Sequence, residues 1–343
     1  MAFPVPLEVY TMELIIPDYY HRFQCIASAC PDSCCKEWAV DVDDEAAARY
    51  RQLPGSLGNR LRQVLKDTDD GTVMTIENGR CPMWRDDGLC RIQAELGHEA
   101  LCQVCRDFPR LRHDYGELVE LGLELSCPEA ARLILSAESD SVSVSHLPEG
   151  ESSDDPETLA ILLRSREEAL TFLESSTYPL PHTLAILLLY GHDVQAEIDG
   201  DSPALLKPEV LLAEATKYAG IGNMDTVFSF FAELEILTPQ WKALLDAGPS
   251  GLVWSVQIQR FARYLIRRYW LQAVADFDLI CRVKFILAAC LIVSAIGGNI
   301  VDTAQLFSKE IENDPDNVDA ILDGAYTAPA LTDTQLLSLL LAS

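Results

Sequence analysis

The chain lacks the two sequence features that most directly place a protein in or across a membrane. Its longest apolar run, 285–296, has twelve residues, whereas a bilayer span needs about twenty. Its first residues, MAFPVPLEVYTMELIIP, contain neither a basic segment before an apolar core nor a small-residue cleavage site, and so do not form a secretory signal. We therefore expect a cytoplasmic protein that does not bind membranes and buries the apolar run in a core helix.

Basic residues are also scarce, with 26 Lys and Arg against 53 Asp and Glu and a net charge of −27. A surface this acidic repels phosphate backbones, which argues against nucleic acid binding. It keeps the protein soluble, and it would attract a lysine-bearing or basic partner. The chain contains no P-loop, HExxH or GxSxG motif, which argues against the enzyme classes that depend on them.

Cysteine is abundant, but only between residues 25 and 127. Nine of the eleven cysteines lie there, in four groups: Cys25, Cys30, Cys34 and Cys35; Cys81 and Cys90; Cys102 and Cys105; and Cys127. The cytosol keeps thiols reduced, nine is an odd number, and adjacent cysteines pair only under severe strain. We therefore predict metal or iron–sulfur ligation rather than disulfides. Cys281 and Cys290 lie on apolar helix faces and are expected to be ordinary buried thiols.

The spacings favour ligation by cysteine alone, which suits both zinc and iron–sulfur clusters. Cys102 and Cys105 can chelate one ion or cluster, while Cys30 and Cys34 would share a face if their segment were helical. A four-cysteine site made from two closely spaced pairs requires the fewest loop residues to become ordered. Our first-choice ligand set is therefore Cys30, Cys34, Cys102 and Cys105. The remaining thiols are candidates for a second set: Cys25, Cys35, Cys81, Cys90 and Cys127.

Aromatic and turn residues accompany the thiols. Cys81 and Cys90 flank a turn that contains Trp84 and ends in Asp-Gly, so they are expected on facing arms of a hairpin or loop. Trp38 and Trp84 stand beside thiol groups, where shielding a metal from water is a better account of them than substrate binding.

Beyond residue 157 the apolar residues follow helical spacing, and the chain shows no internal repeat and no sustained alternation of period two. Asp155 and Pro156 predict the start of the first helix. Further helices are predicted at 183–190, 208–218, 225–237, 253–273, 279–296, 303–312 and 332–341. The fold class is therefore mainly α: a cysteine-rich, metal-binding N-terminal part (1–137), an acidic linker or loop (138–157), and an all-α helical bundle (158–343) on which the N-terminal part packs.

Three segments of the cysteine-rich part resemble the flagellin lysine-N-methylase family of bacteria. They are FQCIASACPDSCCKEWAVDV (23–42), CPMWRDDGLCRIQAELGHEALCQVCRDFPR (81–110) and LSCPEAARLIL (125–135). They contain the Cys-Cys-x2-Trp, Gly-Leu-Cys-x-Ile-Gln, Cys-Arg-x-[Phe/Tyr]-Pro-Arg and Ser-Cys-Pro-Glu signatures. The first part is also similar to the wider group of zinc- or iron-chelating domains. Outside 20–135 the resemblance is general, around YLIRRYW (264–270).

The resemblance implies methyl transfer from S-adenosylmethionine to lysine ε-amines of flagellin, by an enzyme that contains a [4Fe-4S] cluster. Arg110 could then hold the carboxylate of S-adenosylmethionine, or it could pair with a structural acid. A lysine must lose its proton before it attacks a methyl group, which at pH 7 costs about 4.6 kcal/mol. The sequence identifies no base for that step.

A function of another class also fits the same residues. A non-catalytic zinc- or iron–sulfur-binding scaffold or carrier would need the thiols but no methyl donor. The absence of a recognisable S-adenosylmethionine motif favours that alternative.

Overall fold

The computed structural model of the chain describes residues 11–36, 39–69, 71–139, 141–148, 155–218 and 220–342. Within this part the protein is mainly helical, with fifteen α-helices and seven strands. The mainly α fold class is therefore confirmed. The structure also contains two sheets, which the absence of sustained period-two alternation did not lead us to expect. The predicted domain boundaries stay predictions, and the N-terminal segment examined for a secretory signal lies largely outside the described residues.

The seven strands form two sheets. The strands are β1 (Thr11–Pro17), β2 (Val40–Val42), β3 (Leu65–Thr68), β4 (Gly71–Met74), β5 (Arg110–Asp114), β6 (Leu118–Leu123) and β7 (Val142–Pro148). The larger sheet has the order β5-β6-β1-β7, with β1 parallel to β6 and antiparallel to β7. The smaller sheet is antiparallel, in the order β2-β4-β3. Strands from both ends of the cysteine-rich part therefore meet in the larger sheet.

Strand β7 corrects part of the sequence interpretation. The sequence predicts an acidic linker or loop over 138–157, whereas residues 142–148 of that range pair with β1 along its whole length. The physical reason is the alternation of valine and serine from Val142 to Ser145, since β-branched residues favour the extended backbone. Residues 140 and 149–154 of the range lie outside the described residues.

The helices run from the small sheet to the end of the described chain. They are α1 (Asp44–Gln52), α2 (Gly55–Val64), α3 (Arg91–Leu96), α4 (Gln103–Asp107), α5 (Pro128–Ser136), α6 (Pro156–Ser175), α7 (Leu180–Ile198), α8 (Pro208–Tyr218), α9 (Met224–Ala232), α10 (Pro239–Ala247), α11 (Val256–Tyr269), α12 (Leu279–Ile296), α13 (Ile300–Phe307), α14 (Pro315–Thr327) and α15 (Asp333–Leu341). From residue 155 onward the described residues contain helices and no strand, as predicted for the bundle.

Helix starts follow the capping chemistry of the sequence. The side chain of Asp155 accepts a hydrogen bond from the backbone N–H of Thr158, and α6 begins at the next residue, Pro156, as predicted. Helices α10 and α14 were not predicted, yet they begin with the same signal. Thr238 and Asp314 each cap the helix that their following proline opens.

Two hydrophobic cores hold the described residues together. The larger core contains residues of α5–α15 and β6, and α12 runs through it. Helix α12 is the one described helix that is long and apolar enough to cross a membrane, and 94% of it is buried inside the protein. The predicted core helix is therefore confirmed, and with it the burial of Cys281 and Cys290. The smaller core lies between Val40 and Cys102.

Candidate metal centre

Five of the nine N-terminal thiols belong to the smaller core. Cys81 and Cys102 are buried members of it, and Cys35, Cys90 and Cys105 are half-buried and pack against it. The remaining core residues are side chains of β2, β4 and α1–α3, together with Met83 and Leu101 from the loops. The sequence groups that contain these five thiols therefore converge on one apolar region, where a metal or cluster would be shielded from water.

Local backbone contacts bring Cys81 and Cys90 onto facing arms of a loop, as the sequence predicted. Trp84 and Cys90 form an isolated antiparallel bridge. Next to it, the backbone N–H of Arg91 donates to the carbonyl of Met83 at 2.7 Å. The turn residue Gly88, with a φ of +78°, adopts the left-handed conformation that glycine accommodates without strain.

Helix α4 positions Cys102 and Cys105, and a backbone hydrogen bond positions Cys35. Cys102 is the residue that precedes α4, and Cys105 lies in the first turn of that helix. Cys35 is joined to the loop because its carbonyl accepts a 2.7 Å hydrogen bond from the backbone N–H of Cys81. Tight spacing within one helical turn lets two thiols face a common ligand.

Hydrogen bonds between thiols separate their pKa values. The Cys105 thiol lowers the pKa of Cys102 to about 7, while the same contact raises the pKa of Cys105. In the same way, a hydrogen bond with Cys35 lowers the pKa of Cys34 to about 7, and contacts with Cys34 and Cys81 raise that of Cys35. Contact with Cys35 also lowers the pKa of Cys81. Because the thiolate is the form that binds metal, each hydrogen-bonded thiol contact favours one thiolate for ligation.

Cys25, Cys30, Cys34 and Cys127 lie outside the smaller core. Cys127 precedes α5 and packs against the larger core, where burial raises its pKa to about 11 and the charges of Cys30 and Cys34 add to the rise. Burial likewise raises the pKa of Cys30, with Cys25 and Cys34 among its charged neighbours. Cys34 is therefore a neighbour of both thiol groups.

The segment from Cys30 to Cys34 is not an α-helix. A single 3-10 turn ends at Ala29, and Cys30 itself has an extended backbone with a φ of −68° and a ψ of 130°. The shared helix face considered for these two cysteines is therefore absent. The first-choice set of Cys30, Cys34, Cys102 and Cys105 draws on both thiol groups and stays a prediction.

The donor chemistry fits a thiolate-bound metal. Sulfur ligands select zinc and iron–sulfur clusters, and every N-terminal cysteine lies within the described residues without a disulfide. Among the described residues, no three Cys, His, Asp or Glu side chains are already arranged to hold a metal ion. The thiols are gathered by the fold, and ligation would require their side chains to turn toward a common centre.

The loop between Cys30 and Cys34 is attached to the larger core by an ion pair that the sequence analysis missed. The Asp32 carboxylate lies 2.9 Å from Nζ of Lys309 and 3.2 Å from Nζ of Lys36. Burial opposes the ionisation of Asp32, but the contact with Lys309 outweighs it and lowers its pKa. Lys309 is buried in a π-helical turn, Ser308–Glu312, that continues α13. A lysine directly after an apolar helical segment was the available signal.

The flanking aromatic residues make cation–π contacts. The guanidinium of Arg80 lies 4.3 Å from the Trp84 ring and the ammonium of Lys36 lies 5.3 Å from it. Trp84 thus lies in the Cys81–Cys90 loop with two cations beside its ring, and its role as a shield for a metal stays a prediction. Trp38, the other predicted shield, lies outside the described residues.

Arg110 is exposed and stacks on aromatic rings. Its guanidinium lies 5.2 Å from the Phe23 ring and 5.9 Å from the Tyr20 ring. Its predicted role, binding the carboxylate of S-adenosylmethionine, stays a prediction.

The chain is similar in sequence to several Salmonella proteins. It is 33% identical over 132 residues to the Lysine-N-methylase of Salmonella typhimurium, covering 35% of this chain and 31% of that protein. It is 32% identical over 132 residues to the flagellar biosynthetic protein FliU of Salmonella muenchen, covering 75% of FliU. The chain thus spans about a third of the Lysine-N-methylase and three quarters of FliU. No protein-family model and no solved structure matches it.

Proposed function

Because the chain belongs to the Lysine-N-methylase and FliU family, a flagellin lysine-N-methylase family, we propose that it methylates lysine side chains of flagellin. S-adenosylmethionine is the proposed methyl donor. The observation that carries the proposal is the identity of about a third with proteins named for lysine methylation, together with coverage of three quarters of FliU.

The charge of the protein suits a lysine-bearing substrate. A net charge of −27 attracts cationic side chains over distances set by the ionic strength. The same acidity holds the proton on a bound ammonium, so the reacting lysine has to enter a desolvated region or meet a proton acceptor. The acidic surface therefore supports capture of the substrate, and the chemistry needs a separate, buried site.

The proposal includes a [4Fe-4S] cluster bound by N-terminal thiols, with zinc as the alternative. A bound cluster would supply a redox-active iron centre. Cys102 and Cys105 are the pair expected to contribute first, because they share one helical turn and hydrogen-bond to each other. Cys81 and Cys90 are their thiol neighbours in the smaller core, and Cys30 and Cys34 complete the set that spacing favoured.

Anaerobic purification tests the cofactor. We expect a brown protein with absorption near 400 nm and about four iron and four sulfide per chain. Cys102→Ser with Cys105→Ser should remove the iron, whereas Cys281→Ser with Cys290→Ser should keep it, since both of those thiols lie in the larger core or beside it. Iron retained in the first variant would contradict ligation by that pair, and a colourless zinc protein would favour the alternative metal.

A non-catalytic metal-binding scaffold is the second candidate function. The similarity to the Lysine-N-methylase covers only 35% of the chain. A shared metal-binding part without the rest of the enzyme would be consistent with a scaffold. The deciding experiment is deletion of the gene followed by intact-mass measurement of flagellin. Loss of methyl-lysine in the deletion strain, and its return with the intact gene, supports the methylase. An unchanged flagellin mass supports the scaffold.

A further inference from the structure

A cavity lies between the larger sheet and α11, away from the thiols of the smaller core. It encloses about 40 Å³, enough for a few water molecules or the end of one side chain. Its walls are largely apolar on the sheet side and polar on the helix side. The lining includes Ile15, Leu111, His113, Leu123, Tyr264 and Arg268.

The carboxylates at the cavity are already neutralised by buried partners. Glu120 accepts hydrogen bonds of 2.6 and 2.7 Å from the guanidinium of Arg166. Behind the wall, Glu312 lies 3.0 Å from Nε of Arg268 and accepts from the hydroxyl of Tyr264 at 3.2 Å. Because both carboxylates are paired, the cavity has no unpaired negative charge among the described residues. An unpaired carboxylate would raise the pKa of a bound lysine and keep it protonated.

One buried polar atom at the cavity has no partner. Nε2 of His113, on β5, is shielded from solvent and has no hydrogen bond among the described residues. The imidazole ring stacks on Tyr115 with centroids 6.4 Å apart, which fixes its orientation. A buried nitrogen left unpaired costs free energy, and such atoms mark places where a ligand supplies the missing contact.

We propose that this cavity receives the lysine side chain to be methylated, and that Nε2 of His113 takes the proton from its ammonium group. The inference rests on the proposed function and names the acceptor site for it. Ile15, Leu111 and Leu123 give the aliphatic stem an apolar surface. Desolvation and the nearby Arg268 guanidinium disfavour a positive charge in the cavity and so lower the pKa of the bound lysine, which brings it closer to that of the imidazole.

The surroundings of His113 keep its imidazole neutral, so that Nε2 has a free electron pair for the lysine ammonium. Burial and then the charge of Arg268 lower its pKa, while Glu120 opposes them, so the imidazole is neutral at pH 7. The titratable and charged groups that line the cavity with His113 or act on it are Tyr19, Tyr115, Glu120, Tyr264, Arg267 and Arg268. When the lysine ammonium gives a proton to the neutral imidazole, the lysine nitrogen keeps the free electron pair that methyl transfer requires.

S-adenosylmethionine, the proposed donor, supplies the methyl group as a sulfonium. The ammonium gives one proton to Nε2 of His113, which becomes an imidazolium. The amine electron pair then forms the N–CH3 bond as the S–CH3 bond of the sulfonium breaks, and sulfur keeps that pair as a neutral thioether. The methylated nitrogen carries the positive charge that the sulfonium has lost.

Binding tests the site without any methyl transfer. The probe is Nα-acetyl-lysine N-methylamide, titrated into the full-length protein by calorimetry, with the norleucine analogue and acetate as comparison ligands. Gly122, on β6, lines the cavity, so Gly122→Ile should fill it. The backbone should tolerate the new side chain, because a Cβ at residue 122 would lie 3.9 Å from the Leu111 Cβ, an ordinary contact. We expect this variant to weaken lysine binding at least tenfold. His146→Gln, an exposed position on β7, should leave binding unchanged.

Equal affinity of wild type and Gly122→Ile for the lysine probe would overturn the site, as would tighter binding of acetate than of lysine. These outcomes stand whether or not the protein methylates flagellin. Failure of methylation with intact, cavity-dependent binding would instead reject the proposed function alone.

The proton transfer is tested by kinetics. His113→Gln removes no hydrogen bond of Nε2 and should lower kcat at pH 7 about 100-fold with little change in KM. The deficit should shrink as the pH approaches 10, where lysine loses its proton without help. A deficit that does not depend on pH, or a kcat equal to wild type, would reject His113 as the proton acceptor.

Discussion

The ammonium of Lys309 lies 2.9 Å from the carboxylate of Asp32, across 277 residues of chain. One partner lies in the loop between Cys30 and Cys34, and the other lies in the π-helical turn after α13. Lys309 is only 3% exposed, so the lysine partner of the pair is shielded from solvent. It fixes the thiol-bearing loop against the larger core, and ion pairs with one buried partner depend strongly on both members.

We expect Lys309→Met to lower the free energy of unfolding by about 1–3 kcal/mol, because it leaves Asp32 partly buried with Lys36 as its remaining contact. It should also make Cys30, which is half-buried, react faster with a thiol reagent in the metal-free protein. Urea unfolding and mass-resolved alkylation measure the two effects. Lys242→Met, at an exposed pair with Asp246, is the matched control and should change stability by less than about 0.5 kcal/mol. Unaltered alkylation rates in Lys309→Met would show that the pair does not hold the loop.

Arg166 and Glu120 join α6 to β6 through a bidentate contact, with side chains 1% and 10% exposed. Arg166→Met should cost about 3–5 kcal/mol, since it leaves a buried carboxylate unpaired. Adding Glu120→Leu should recover a large part of that loss, because the two changes together remove both charges. Urea midpoints of the three proteins test this coupling. Additive losses in the double variant would contradict it.

The ionisation of Asp333 should make the free energy of unfolding depend on pH. Burial alone would raise its pKa, but contacts with His192 at 3.0 Å and Lys284 at 2.9 Å lower it to about 2. Because the folded pKa is below the ordinary value, the stabilisation is present above about pH 4 and is lost as the pH falls toward 2. The side chain is 38% exposed, so solvent screening reduces the effect to about 1 kcal/mol. Urea midpoints of wild type and Asp333→Asn should differ at pH 6 and converge near pH 2. A constant difference would show that ionisation of Asp333 is not involved.

Gly58 is required for the close approach of α2 to the chain before it. A Cβ at this position would clash with the backbone carbonyl of Leu53, which cannot rotate away. Gly58→Ala should therefore destabilise the smaller core by about 2–3 kcal/mol despite the better helix propensity of alanine. Thermal unfolding measures the loss, with Gln63→Ala on the exposed face of α2 as the control. A more stable Gly58→Ala protein would mean that the backbone moves at little cost.

Local signals predicted the helices well because each signal acts within one turn of chain. The Asp155-Pro156 start and the apolar content of α12 are examples. Helices α10 and α14 had equally good starts, at Thr238 and Asp314, and were missed although only part of each is exposed, because few of their residues form a continuous apolar face.

The sheet and the candidate sites depend on contacts between distant segments, which a single sequence does not contain. Strand β1 is parallel to β6, where Glu13 faces Leu118, and nothing near either residue specifies the other. The same holds for Asp32 and Lys309, and for His113 and Arg268. The clustering of cysteines was visible in the sequence, but the assignment of five of them to the smaller core required the fold.

The central position of β1 also has a consequence for how the protein forms in the cell. A ribosome completes β1 about a hundred residues before it makes β6 and β7, the strands on either side of it. During that delay β1 has two unpaired edges, which invite association with other chains. The smaller core, contained between Val40 and Cys102, can assemble within the same interval. Chaperone binding to β1 would then protect the nascent chain until the larger sheet closes.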